Sequence, residues 1–157
     1  MATRKKLNRY SPSSENFARE AFPFYWIARL SSLYTLQMER ALKKVGSDIP
    51  NWRVLTILKE HGRSSVSEIS VHAIAKLSTI TKIVYRMKSE GLVDTVTSEL
   101  DGRVTVVILT QAGADAFDRI QLATQNIFVK SFRGLTEAQI LRLNRSLSTL
   151  FKNLTED

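Results

Sequence analysis

Residues 65–91 read SVSEISVHAIAKLSTITKIVYRMKSEG, and the way this run divides decides the fold. Ser65 and Glu68 have the spacing of a capping box, in which a hydroxyl and a carboxylate satisfy backbone N–H groups at a helix start. Val66, Ile69 and Ala73 then form the inward face of a short helix. From Leu77 the apolar positions restart as Leu77, Ile80, Ile83, Val84 and Met87, the period of another helix that ends at Gly91. A single helix from Ser65 to Glu90 would need Val66, Ile69, Ile74 and Leu77 in one stripe, and that spacing slips out of register. Two helices joined by a turn follow. The second carries Ser78, Thr79, Thr81, Lys82, Tyr85 and Arg86 outside its apolar stripe. Between Lys76 and Lys88 there are four bases and no acid.

Toward the C-terminus, Val93 and Val96 lead to Glu99-Leu100-Asp101-Gly102, and Arg103 to Leu109 is rich in β-branched residues. Asp-Gly between two such runs predicts a short β-hairpin. Thr110 caps a helix running to about 130, and Gly134 breaks the chain. Thr136-x-x-Gln139 is a second capping box. Ile140, Leu143, Leu147, Leu150 and Leu154 then make one stripe on a terminal helix, as a dimer seam or packing against the first helix requires.

Toward the N-terminus, Pro50 opens a helix over roughly 50–61 with Trp52, Val54, Leu55 and Leu58 inward. Before it, residues 21–45 read as a long helix with two apolar stripes. Phe22, Trp26, Leu30 and Leu33 form one; Ile27, Tyr34, Met38, Ala41 and Val45 form the other. One side can face the helix's own domain, and the other needs a second layer such as a partner subunit. Residues 1–20 carry Arg4, Lys5, Lys6, Arg9 and Arg19 around a Ser-Pro-Ser-Ser stretch and are expected to be a basic flexible arm. A helical dimerisation region over 21–48 and 110–157 would then flank a winged lobe over 49–109.

The 157 residues carry a net charge of +8, which suits a polyanionic partner. The absence of cysteine excludes a disulfide scaffold, a thiol nucleophile and a thiolate metal site. Two histidines leave little for a metal or catalytic centre, and neither a Gly-rich phosphate loop nor a nucleophile motif is present. The reading is of a non-enzyme with no cofactor. No apolar run is long enough to span a bilayer, and the N-terminus lacks a signal-peptide core, so a cytoplasmic location is expected.

Helix, short helix, basic polar-faced helix and hairpin, in that order, make a winged helix-turn-helix within a mainly α chain (α+β). A helix of this kind fits the major groove of double-stranded DNA, and its hydroxyl and basic side chains can reach base edges and phosphates. The hairpin can place Arg103 on the backbone or in the minor groove.

At these residues the chain resembles the MarR family of bacterial transcriptional regulators. The resemblance covers roughly 25–125. It rests on Trp52-Arg53-Val54-Leu55, Ser65 to Ile69, Ser78-Thr79-Ile80-Thr81-Lys82-Ile83-Val84, Glu90-Gly91-Leu92-Val93, Asp101-Gly102-Arg103 and Leu109-Thr110-Gln111-Ala112-Gly113. It departs where Ile74 replaces the Gly usual in the turn, Lys76 a capping Asp, and Leu77 a polar residue.

The resemblance implies a homodimer that reads a pseudo-palindromic operator and releases it when a small, frequently aromatic and anionic effector binds. It implies DNA contact by Ser78, Thr79, Thr81, Lys82 and Arg103, with Asp101 orienting Arg103. Tyr85 either contacts DNA or packs; Arg86 either contacts a phosphate or pairs within the protein. Trp26, Arg29, Ser32, Trp52 and His72 are the candidate effector residues, because aromatic planes with one guanidinium suit an aromatic carboxylate. The alternative makes both tryptophans core and Arg29 an interface ion pair. A winged-helix module that binds protein instead of DNA is the competing function.

Overall fold

A computed structural model gives the fold and describes residues 10–156. By its internal contacts the chain divides into a unit ending at Ala123 and another from Thr124 onward.

In the first unit, α1 (Pro23–Lys43) follows a 3-10 turn at Arg19–Ala21. Phe17 packs edge-on against Phe22, and the Trp26 indole N–H donates to the Glu20 carbonyl at 2.8 Å. These contacts tie residues 17–20 to the start of α1. Arg4, Lys5, Lys6 and Arg9 of the expected arm lie outside the described residues. The two stripes of α1 have different fates. Met38 and Leu42 are buried, whereas Trp26, Leu30, Leu33 and Leu36 are exposed.

Next come α2 (Ile49–His61), β1 (Ser64–Ser65), α3 (Val66–His72) and α4 (Leu77–Ser89). Asp48 caps α2, its carboxylate accepting from Asn51 N–H at 2.8 Å, with Pro50 in the first turn. The capping box at α3 forms as the spacing predicts. Ser65 and Glu68 satisfy each other's backbone N–H groups. The Ser65 N–H and then its hydroxyl hold the Glu68 carboxyl below the usual carboxylate range. The chain leaves helix geometry between α3 and α4, so the two-helix reading holds. Ile74 takes the left-handed conformation, φ 52°, that its missing glycine would have adopted without strain.

The β2 (Val93–Thr97) and β3 (Thr105–Leu109) strands form the wing, and β1 adds to the outer side of β3, giving the antiparallel order β1-β3-β2. Val93 pairs with Leu109 and Thr97 with Thr105, which leaves residues 98–104 as the tip. The short hairpin expected around Asp101-Gly102 forms, with those seven residues as its tip. Ser98 N–H donates to the Val104 carbonyl, and Val104 N–H donates to the Asp101 carbonyl, so Asp101 opens a turn rather than sitting at its centre. The two-residue β1 has no alternating pattern that the sequence could have revealed.

The core joins Val54, Leu55, Leu58, Ile69, Ile80, Val84, Met87, Val93, Val107, Phe117 and Ile120, all buried. Each aliphatic side chain among these contributes about 2 kcal/mol by leaving water. The wing exit is fastened by α5 (Gln111–Ser131). Thr110 Oγ1 donates to the Gly91 carbonyl at 2.7 Å and accepts from Gly113 N–H at 3.0 Å. A methyl group at Gly113 would overlap the Leu92 carbonyl oxygen.

In the second unit, the end of α5 is followed by Gly134 and by α6 (Glu137–Thr155). The expected Thr136–Gln139 capping box is present. No residue of α6 is buried. No helix among the described residues is long and apolar enough to cross a membrane.

Candidate nucleic-acid interface and effector pockets

Ile80, Val84 and Met87 seat α4 in the core and so fix which side chains it presents outward. Ser78, Thr79, Lys82 and Tyr85 are exposed, as is Leu77 in the first turn. Lys82 has no ion-pair partner among the described residues. Thr81 is half-buried, and its hydroxyl donates back to the Leu77 carbonyl at 2.8 Å. Its donor is therefore engaged within the helix.

Arg86 is engaged within the protein. Its Nη2 donates to Asp48 Oδ2 at 2.8 Å and to Asn51 Oδ1 at 2.6 Å. Asn51 is only 5% exposed, so this arrangement is a built bracket between α4 and the start of α2. Of the two roles left open for Arg86, the structure contains the internal pair. Asp48 and Asn51, which complete this bracket, are not singled out by sequence reasoning. The capping role of Asp48 before Pro50 is legible in sequence, but its partner lies 38 residues away.

The wing is bracketed similarly. Lys88 Nζ reaches Thr95 Oγ1 at 2.6 Å and Asp94 Oδ1 at 3.3 Å, joining the end of α4 to β2. The Thr95 N–H and the Lys88 ammonium hold the Asp94 carboxyl below its ordinary range. At the tip, Asp101 Oδ1 accepts from Arg103 N–H at 3.0 Å and lies 3.4 Å from Arg103 Nε. The Arg103 side chain is 93% exposed, a cation held at its base and open at its end. Between α4 and the wing runs a groove of about 210 Å³, lined among others by Leu77, Thr81, Tyr85, Thr95 and Arg103.

The five candidate effector residues fall into two places. Trp26, Arg29 and Ser32 line an open depression of about 660 Å³ on one face of α1, with Leu30, Leu33 and Leu36. Arg29 lies 5.4 Å from the Tyr25 ring centre. Trp52 and His72 line a separate cavity of about 580 Å³ with Tyr34, Arg53, His61 and Ile74. There Tyr34 meets the Trp52 ring edge-on at 6.4 Å, and His61 stacks on His72 at 4.6 Å. Burial raises the Tyr34 hydroxyl's pKa, and the nearby Arg53 guanidinium partly offsets this. Sequence spacing could not separate the two tryptophans, because nothing local says which faces of α1 and α2 meet.

The MarR family model matches residues 48–105, the stretch from the Asp48 cap through the tip of the wing. Over 151 residues the chain is 58% identical to the HTH-type transcriptional repressor IacR of Pseudomonas putida, covering 96% of this chain and 90% of that protein. A MarR-family transcriptional regulator from Silicibacter pomeroyi superposes with a TM-score of 0.77 at 20% identity, over 87% of this chain and 92% of that one. A mutant MarR from E. coli, crystallised with operator DNA, gives a TM-score of 0.71 at 18% identity, over 79% and 89% of the two chains. With this helix order, this wing and a relative so similar along nearly its whole length, the chain belongs to the MarR family of winged-helix transcriptional regulators.

Proposed function

We propose that the protein is a homodimeric repressor that reads a pseudo-palindromic operator and is released by a small aromatic carboxylate. The observation that carries the DNA reading is the pairing of one hydroxyl- and lysine-bearing helix face with an exposed arginine at the wing tip. Ser78, Thr79, Lys82 and Tyr85 face the major groove, and Arg103, steadied by Asp101, meets the backbone or minor groove. Thr81 contributes as an acceptor or through its methyl group. Arg86 acts from behind, holding α4 at its angle. Half-sites lie about one helical turn apart. The name of the Pseudomonas putida relative supports repression.

The exposed apolar face of α1 and the stripe of α6 supply the dimer seam. The cavity holding Trp52 and His72 is the better effector site. It combines aromatic planes with the Arg53 guanidinium and the His61–His72 pair, which suit a planar anion. Trp26, Arg29 and Ser32 then belong to the seam side of α1.

The test is a titration of the full chain against duplex DNA flanking its own gene at two salt concentrations, with aromatic acids added to the complex. Log affinity should fall linearly with log salt. Lys82→Ala should flatten that slope by about one unit, the loss of one phosphate contact. Arg86→Ala should weaken binding and leave the slope unchanged. Salt-insensitive, unselective binding would instead favour the protein-interaction module.

A further inference from the structure

Leu77 is out of character with its surroundings. It opens α4, the helix whose N-terminal residues reach base edges in this docking mode, and it sits directly before Ser78 and Thr79. It is 52% exposed, although Ile80, Val84 and Met87 on the same helix are 3% exposed or less. The apolar stripe of α4 therefore includes Leu77 by spacing but does not bury it. It lines the groove facing the wing, beside Thr81 and Tyr85. Thr81, one turn on, has turned its hydroxyl to the Leu77 carbonyl, so the donor nearest Leu77 in the next turn is already engaged. In the major groove one feature is recognised without a hydrogen bond, the C5-methyl group of thymine.

We propose that Leu77 is a specificity-determining residue that packs against a thymine methyl group, one in each operator half-site. This rests on the DNA-reading function above. An isobutyl group at this corner favours thymine over cytosine, because cytosine has no methyl and brings an amino group that would lose water against an apolar surface. It also explains how a leucine is accommodated on a face otherwise made of hydroxyls and a lysine.

The experiment selects binding duplexes from a random pool with the full-length protein, then replaces each thymine of the selected site by uracil, one at a time. Uracil keeps the base pair and removes only the methyl group. One thymine per half-site should be sensitive, with affinity falling about fourfold, the effect of exposing one methyl-sized group. In Leu77→Ala the same replacement should have no effect, while the salt slope stays as in the parent protein. Leu77→Met, which keeps an apolar reach, should retain sensitivity. Leu77 is half-exposed, and the comparison within the unaltered protein needs no variant to fold. If no thymine is sensitive, or if Leu77→Ala keeps the same sensitive position, the assignment of Leu77 is overturned and the DNA function stands. If the pool yields no enriched duplex, the DNA-reading function falls, and this inference with it.

Discussion

Helices α4 and α6 carry the same kind of signal, one apolar stripe at helical spacing, and meet different ends. In α4 the stripe beyond Leu77 is closed within the chain: Ile80, Val84 and Met87 are buried where it packs on α2, α3 and β2. In α6 no residue is buried, and Leu143, Leu147 and Leu154 remain 46%, 39% and 74% exposed. A stripe states that a helix must be covered and leaves open what covers it. The first unit has its own core and can hold its recognition face rigid. The second has a helix whose apolar side is left uncovered among the described residues, and in the dimer proposed above a second copy closes it. Helix α1 contains both outcomes, with Met38 and Leu42 inward and Trp26, Leu30 and Leu33 outward.

The largest effect should come from a charge placed in the uncovered stripe. Leu147→Glu should leave the helical content and the core of the first unit intact and convert the protein to a monomer in sedimentation. Losing simultaneous engagement of two half-sites should then weaken operator binding on the order of 100-fold. A Leu147→Glu protein that stays dimeric would remove α6 from the seam and end the contrast between the two helices.

A smaller loss is expected where the first unit is most tightly closed. Gly113 lies where α5 begins, and an added methyl group would overlap the Leu92 carbonyl and approach Leu109 Cδ1 to 2.7 Å. Leu92 directly precedes β2 and Leu109 ends β3, and the Leu92 contact is with backbone, so relief means moving backbone. Gly113→Ala should cost about 3 kcal/mol in urea unfolding. A cost below about 1 kcal/mol would show that the clamp between wing and α5 yields, and that the first unit is less rigid than its burial implies.

Local chemistry made much of this molecule legible in sequence. The two capping boxes need only three-residue spacing, and both formed at Ser65 and Thr136. The α3–α4 break was readable because the stripe changes phase at Ile74 and Leu77. What remained hidden depended on distant pairing. The Arg86–Asp48–Asn51 bracket joins two helices, and no spacing rule links them. The hairpin around Asp101-Gly102 is legible in sequence but its length is not, because the Ser98–Val104 and Val104–Asp101 hydrogen bonds set a seven-residue tip over 98–104. Residue type alone groups the candidate effector residues, and only the packing of α1 on α2 separates Trp26 from Trp52.

The smallest effect concerns the one described residue other than glycine that has a positive φ. Ile74 is β-branched, sits at φ 52° and is 88% exposed, so it takes the strain of the left-handed region and gains little burial in return. Glycine adopts this conformation freely but has more freedom to lose from the unfolded chain. With left-handed strain of about 1–2 kcal/mol for a branched side chain, Ile74→Gly should raise stability by about 1 kcal/mol net. Because Ile74 also borders the Trp52–His72 cavity, the same variant separates two reasons for keeping an isoleucine there. Higher stability with weaker release by aromatic acids would mean that the strain is tolerated because the side chain helps hold the effector. A loss of stability would mean that Ile74 is covered in the assembled protein, extending to the α3–α4 turn what is proposed for α6, that apolar surface exposed on one chain is closed by another.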